Sequence, residues 1–274
     1  MSSTRLARIG FAWLACIFLA ADHPAFAQTP LFVMDTAFGD LPFETVQTLG
    51  YAGVSLDFSR DWPLEELDKI KLPLVAVYGG MALDTGDGRD AIERAIRRLK
   101  GRSTIVWITL TNGKVAKSSP DGDAAAVSAL RPLADLAKEN GVKLALYPHT
   151  GFWLERVDDA VRVANLVDRP NLGVTFNLCH FLRCDKLENL EARLKAAKPR
   201  LFLVTINGAD ADGTDWDRLI QPLDRGSYDI KRVLAMLKEI EFTGPIGLQG
   251  YGVPGDKKDN LARSMQAWTR LAHD

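Results

Sequence analysis

Two of the four histidines in this 274-residue chain sit where they can act together. His149 closes the run Leu144-Ala-Leu-Tyr-Pro-His, and His180 follows Gly173-Val-Thr-Phe-Asn-Leu-Cys. Each lies just past a short apolar segment, whereas His23 is near the N-terminus and His273 is one residue from the end. An imidazole titrates near neutral pH, so it can take a proton and return it without a cofactor. If the two apolar segments are parallel strands of one barrel, both rings reach the same mouth, where catalytic groups of such barrels collect. The chain is therefore a candidate enzyme, with His149 or His180 as general base and Asp57 as the carboxylate next in line.

The elements that must position these groups alternate along the chain. Short apolar runs that suit strands span 31–34, 53–56, 74–78, 104–110, 143–147, 173–176, 201–206 and 245–249. Helical patterns fill the intervals at 42–49, 64–70, 89–100, 124–140, 157–167, 187–197 and 230–239, and 260–272 closes the chain. Runs such as Leu201-Phe-Leu-Val-Thr-Ile lack polar alternation, as strands buried on both faces do. Gly141 after Asn140 and Gly244-Pro245 before the last run mark boundaries. The fold class predicted is α/β, a single (β/α)8 TIM barrel.

Residues 1–27 carry Arg5 and Arg8, an apolar run from Ile9 to Ala21, and Ala25-Phe-Ala27, the layout of a cleavable secretory signal. The expected domains are a signal peptide at 1–27 and one barrel at 28–274, with a periplasmic or secreted location. The run is short for a bilayer span, and Trp13 stands where a lipoprotein signal around Cys16 needs a Leu-like residue, so no stable membrane anchor is expected. Losing Arg5, Arg8 and Asp22 leaves 32 basic and 34 acidic residues. Such a balance lacks the basic footprint of a nucleic-acid binder and favours a small-molecule ligand. Cys179 and Cys184 remain, either as a disulfide closing a small loop beside His180 or as two thiols.

The strand ends bring forward Asp35, Asp57, Tyr78 with Gly79-Gly80, Thr109 with Asn112, Tyr147, Asn177, Thr205 with Asn207, and Gln249 with Tyr251. Neutral amides and hydroxyls dominate, a lining that suits a polyhydroxylated ligand, so a sugar is the expected substrate class. The expected substrate-binding residues are Asp35, Tyr78, Asn112, Tyr147, Trp153, Asn177, Asn207, Arg225, Gln249 and Tyr251. Trp153 and Trp216 lie in loops and can stack on a sugar face, whereas Trp107 lies within a strand and belongs to the core. The stretch Asp210-Ala-Asp-Gly-Thr-Asp reads as a long loop over the barrel mouth.

Tyr147-Pro-His149-Thr-Gly, Asn177-Leu-Cys-His180, Asn207-Gly-Ala-Asp, Pro222-Leu-Asp-Arg225-Gly-Ser-Tyr-Asp229 and Gly244-Pro-Ile-Gly-Leu-Gln249-Gly-Tyr251 resemble the xylose-isomerase-like barrels. That family includes sugar isomerases, epimerases and dehydratases, and a metal-dependent nuclease branch whose ligand cluster is absent here. The resemblance implies ligand positions for a divalent cation at Tyr147, Asn177, Thr205 and Gln249, with His180 matching the histidine of an Asp-x-x-His motif. Neutral side chains at these positions are weak partners for Mn, Mg or Zn, so no cofactor is expected and a divalent metal is the alternative. The function expected is an exported sugar isomerase or epimerase, or a related keto-sugar hydratase or lyase, acting by acid–base proton transfer. The alternative is a catalytically inactive barrel that binds carbohydrate or a partner.

Overall fold

The computed structural model describes residues 30–273. The expected export signal lies outside the described residues. Eight parallel strands close into one barrel in chain order: β1 (Leu31–Met34), β2 (Val54–Asp57), β3 (Leu74–Ala82), β4 (Ile105–Thr111), β5 (Lys143–Leu146), β6 (Leu172–Asn177), β7 (Leu201–Ile206) and β8 (Ile246–Leu248). β8 returns to pair with β1 through Leu31↔Ile246 and Val33↔Leu248. The helices are α1 (Asp35–Phe38), α2 (Phe43–Thr48), α3 (Leu64–Lys69), α4 (Arg89–Arg98), α5 (Asp123–Glu139), α6 (Val157–Val167), α7 (Leu178–Cys184), α8 (Leu190–Ala197), α9 (Trp216–Leu219), α10 (Lys231–Glu239) and α11 (Lys257–His273). The (β/α)8 expectation holds.

Two layers of apolar packing explain why the strands read as unbroken apolar runs. Alternate residues such as Leu31, Val33, Val106, Ile108, Leu144 and Leu146 face outward into the cluster shared with the helices. Their neighbours Phe32, Met34, Ala76, Ile105, Trp107, Ala145, Tyr147 and Leu203 fill the barrel itself. Phe32 can occupy that space because Gly247 opposite carries no side chain; a Cβ there would lie 2.2 Å from the ring.

The differences from expectation concern the mouth. β3 runs past Gly79-Gly80 to Ala82 because β4 keeps pairing with it as far as Ala82↔Thr111. The short helices α1, α7 and α9 were not expected, and each follows the C-terminal end of a strand. α7 starts immediately after β6, with the Asn177 side chain accepting from the His180 backbone N–H as its cap. His180 therefore belongs to the first turn of a helix. Cys179 and Cys184 lie on the same helix as free thiols.

The long loop after β7 does fold over the mouth. Gly208 and Gln221 exchange backbone hydrogen bonds at 3.0 and 2.8 Å, and Asp210 receives the Arg218 guanidinium at 3.1 Å. Gly226 closes the loop at φ 88°. A Cβ there would lie 2.0 Å from the Ala209 carbonyl oxygen, so the position combines left-handed backbone with a closed space. Gly226→Ala is expected to cost more than about 2 kcal/mol, which lowers the melting temperature of a chain this size by roughly 4–8 °C. Thermal unfolding of the variant checks this; an unchanged midpoint would show that the loop is not held as described.

Candidate functional site

A cavity of about 600 Å³ opens at the C-terminal ends of the strands. Its floor and walls take Met34 from β1, Thr36 from α1, Asp57 from β2, Tyr78, Gly79 and Gly80 from β3, Thr109 from β4, Tyr147 and His149 after β5, and Gln249 after β8. Thr150, Phe152, Cys179, His180, Trp216, Ile220 and Tyr251 complete it from the loops and short helices. Among these lining residues there is no Lys or Arg, and Asp57 is the one carboxylate.

The histidine wall is organised around Thr150. The ring centroids of His149 and His180 are 4.1 Å apart. His149 Nδ1 lies 3.0 Å from the Thr150 carbonyl oxygen, which can only accept, so the proton sits on Nδ1 and Nε2 keeps its lone pair. His180 has the opposite arrangement. The Thr150 backbone N–H donates to His180 Nδ1 at 3.3 Å, and the Thr150 hydroxyl lies 3.1 Å from the same nitrogen. The His180 proton is thereby placed on Nε2, which donates to the Tyr147 hydroxyl at 3.2 Å. Burial holds both imidazoles below the usual histidine range. The Thr150 carbonyl opposes that shift at His149, and the neighbouring His149 reinforces it at His180.

Tyr147 sits at the centre of this wall. Its ring stacks on Trp107 at 4.6 Å, and its hydroxyl also receives the Asn177 side-chain amide at 3.2 Å. Asn177 is fixed in that orientation because its carbonyl oxygen accepts from the Cys179 thiol at 2.9 Å and from the His180 backbone N–H at 3.5 Å. Burial raises the Tyr147 hydroxyl well above the ordinary tyrosine range, so it stays protonated. Burial also raises the Cys179 thiol and keeps it un-ionised.

The opposite wall carries the acids. Tyr78 donates a short hydrogen bond to Asp35 Oδ1, and Asp35 Oδ2 accepts from the Asp57 backbone N–H at 3.1 Å and from Arg60 Nε at 2.8 Å. Burial, then the Asp35 charge, raises the Tyr78 hydroxyl. Asp57 Oδ1 accepts from the Ser59 backbone N–H at 2.8 Å while the side chain lines the cavity.

The structure thus brings His149, His180, Asp57, Tyr78, Tyr147, Gln249 and Tyr251 to the cavity as expected. It places five other expected residues elsewhere. Asp35 lies behind Tyr78 and contacts the cavity through that phenol. Asn177 lies behind Tyr147 as the helix cap. Asn112 lies beyond the end of β4, where its carbonyl oxygen binds the Lys114 backbone N–H at 3.0 Å; Thr109 lines the cavity instead. Asn207 is buried and its amide ties Gly208 and Leu219 carbonyls at 2.8 and 2.7 Å, so it holds the loop and not a ligand. Arg225 is exposed in the turn whose backbone N–H returns to Pro222 at 2.9 Å.

Trp153 requires a further correction. The loop after β5 folds back through His149 N–H to Leu154 and Leu154 N–H to Leu110, which turns Trp153 into the helix layer. Its indole N–H donates to the Ser119 carbonyl at 3.0 Å and its ring packs over Gly122. The adjacent Phe152 faces inward instead, stacked on His149 at 4.3 Å. Trp216 does reach the rim, edge-on to His180 at 5.6 Å. Thr36, Thr150, Phe152 and Arg60 were not anticipated; the aromatic next to Trp153 was the available signal for Phe152.

The positions that resemble a cation site do not fit one. Gln249 turns its carbonyl oxygen to the Thr36 hydroxyl and to the Gly250 and Tyr251 backbone N–H groups, at 2.6, 2.9 and 3.2 Å. Asn177 likewise spends its oxygen on the α7 cap, so both amides present N–H groups to Tyr147, and N–H groups repel a cation. Thr205 is buried in β7 and does not line the cavity. Among the described residues no three His, Cys, Asp or Glu side chains are grouped so as to hold a metal ion.

Comparison with known proteins agrees with this architecture. The chain is 29% identical over 129 residues to an inosose isomerase of Bacillus subtilis, an alignment covering 45% of each protein. It spans about half the length of the curated relatives it matches. Among solved structures, the IOLI protein with a bound zinc atom superposes with a TM-score of 0.71 at 18% identity, covering 89% of this chain and 98% of that one. The apo 3-keto-D-glucoside 4-epimerase YcjR from E. coli superposes with a TM-score of 0.70 at 18% identity, covering 89% and 99%. At these identities the superpositions establish the shared fold. The family described as xylose isomerase-like TIM barrel matches residues 43–271, and the chain belongs to it.

Proposed function

We propose that this chain is an exported sugar isomerase or epimerase that moves a proton on a carbon next to a carbonyl, without a tightly bound metal. The observation that carries this reading is His149: its Nδ1 is committed to Thr150, which leaves the Nε2 lone pair as a neutral base at the cavity wall. Relatives named for inosose and for a 3-keto-glucoside support a carbonyl-bearing sugar. The lining supports an uncharged one, because no Lys or Arg is present to meet a phosphate or carboxylate. Phe152, Trp216 and Tyr251 give the mouth apolar faces of the kind that sugar rings cover.

In this reading His149 Nε2 takes the proton, the C–H electron pair becomes the C=C bond of an enediolate, and the carbonyl electrons move onto oxygen. Return of the His149 proton to the former carbonyl carbon, with the hydroxyl proton of the first carbon passing to the enediolate oxygen, gives an isomer. An epimer requires that a second group, for which Asp57 on the opposite wall is the candidate, protonate the other face of the first carbon while His149 keeps the proton it took. The competing reading, a pocket that only binds, predicts no carbon-bound exchange with any sugar. Incubation with inosose, a 3-keto-glucoside and D-fructose in heavy water, followed by NMR, separates the two. His149→Gln keeps the shape and much of the hydrogen bonding but removes the acceptor, so exchange is expected to fall by about 10²–10⁴ with little change in KM. Because burial lowers the His149 pKa, the groups facing it being neutral His180 and the Tyr147 hydroxyl, the base persists below the usual histidine range. The acid limb of kcat/KM is expected below pH ~6.5; exchange that survives His149→Gln would assign the base elsewhere, Asp57 first.

Metal independence follows in this reading from the inward-facing amide N–H groups. Elemental analysis is expected to find well under one metal per chain, with turnover unchanged by EDTA. One tightly held Mn, Zn or Co per chain, lost together with activity, would overturn it. Export rests on residues 1–27; N-terminal sequencing of protein recovered from an expressing bacterium is expected to begin at Gln28, and an intact Met1 would refute it.

A further inference from the structure

We infer that the Tyr147 hydroxyl is the group that stabilises the enediolate, donating its proton in a hydrogen bond to the substrate carbonyl oxygen from the place where relatives of this fold carry a cation ligand. This deepens the proposed function and rests on it.

The inference comes from counting protons around one oxygen. A phenol oxygen accepts two hydrogen bonds and donates one. Two donors already point at Tyr147: Asn177 Nδ2 at 3.2 Å and His180 Nε2 at 3.2 Å. Neither can be reversed within this structure. The Asn177 amide is held by its oxygen, which caps α7 and receives the Cys179 thiol. The His180 ring is held by the Thr150 backbone N–H, which occupies Nδ1 and keeps the proton on Nε2. The third neighbour, Gln249, has its oxygen filled by Thr36, Gly250 and Tyr251, so it too faces Tyr147 with its NH₂.

These three fixed neighbours are all donors, and among the described residues no hydrogen bond takes up the Tyr147 proton, which leaves it to what enters the cavity. Tyr147 lines that cavity although it is 3% exposed, so its proton meets substrate in a nearly dry setting, where a directed hydrogen bond is strongest. His149, edge-on to the Tyr147 ring at 5.6 Å, stands beside it on the same wall. The two groups divide the step: as His149 Nε2 receives the carbon-bound proton, negative charge grows on the carbonyl oxygen and the Tyr147 O–H meets it. No oxidant or second substrate is required, and in the isomerisation the proton on His149 is returned to carbon to close the cycle. Asn177 and His180 are positioning residues that act through Tyr147.

Two substitutions test this in EDTA, using the sugar that wild-type protein exchanges in heavy water. Tyr147→Phe removes the donor, and kcat is expected to fall roughly 100-fold with KM changed less than about threefold. Asn177→Asp is the sharper probe. An aspartate keeps the helix cap but replaces the inward N–H by a carboxylate oxygen, which captures the Tyr147 proton and turns it from the cavity. Its kcat is expected to fall at least tenfold at pH 8 in protein whose circular dichroism shows the fold retained, the buried carboxylate lowering the melting temperature without unfolding the chain at the assay temperature. A merely structural Tyr147 would tolerate that change, since its hydroxyl would still be bonded. If wild-type protein exchanges protons and His149→Gln abolishes this while Asn177→Asp and any folded Tyr147→Phe retain wild-type kcat, this inference alone falls. If wild-type protein exchanges nothing, the proposed function falls and takes this inference with it.

Discussion

One residue's main chain sets the protonation pattern of the whole site. Thr150 offers its carbonyl to one imidazole and its N–H to the other, so two histidines whose rings lie 4.1 Å apart carry opposite tautomers. Equivalent side chains thereby acquire unlike properties: His149 presents a lone pair, and His180 presents an N–H to Tyr147. Burial keeps both neutral, which matters because two imidazolium ions at that separation would repel strongly. Of the two histidines expected as candidate bases, this asymmetry favours His149 in the proposed reaction. His180 has both nitrogens committed inside the protein, and in the proposed reaction it aims the phenol.

Much of this was legible in the sequence because a parallel barrel obeys a strict alternation. From the inward Phe32, Met34, Ala76, Ile105, Trp107, Ala145 and Tyr147, a step of two along each strand arrives at Thr36, Tyr78, Thr109 and His149 in the cavity. Asn112 is out of step with Ile105 and Trp107, and it misses. The alternation itself was hidden, since both faces of each strand are apolar and the run carries no polar mark. Loops escape the rule altogether. Nothing local to Phe152-Trp153 says which aromatic turns inward; that is decided by the two backbone bonds that fold the loop over β4 and β5. Asn207 fits the strand parity, yet its amide is claimed by carbonyls of the loop it begins.

The neutral residues at the resembling cation positions are a consistent set, and electrostatics explains why they must be. A buried carboxylate is tolerable beside a cation and costly without one. Conversely, an amide N–H directed at Tyr147 is compatible with a hydroxyl oxygen and unfavourable beside a positive ion. Asn177 and Gln249 both have their oxygens bound elsewhere by donors that do not move with the ligand: a helix cap, a thiol, a threonine hydroxyl and two backbone N–H groups. The orientation of each amide is therefore built into the fold and does not wait for substrate.

This rigidity bears on how such a pocket handles charge that appears during a reaction. A cation attracts an enediolate at any angle, whereas a hydrogen bond needs its donor aligned beforehand, since reorienting dipoles during the step would return the energy gained. Tyr147 meets that requirement by stacking on Trp107, whose ring fills the barrel beneath it, and by accepting from two donors that are themselves fixed. The same contacts that close the barrel core thus hold the phenol still. Packing and polar order are not separable here: the aromatic stack fixes where the oxygen lies, the amide and imidazole occupy its lone pairs, and the inferred role of the proton is to meet substrate in the cavity.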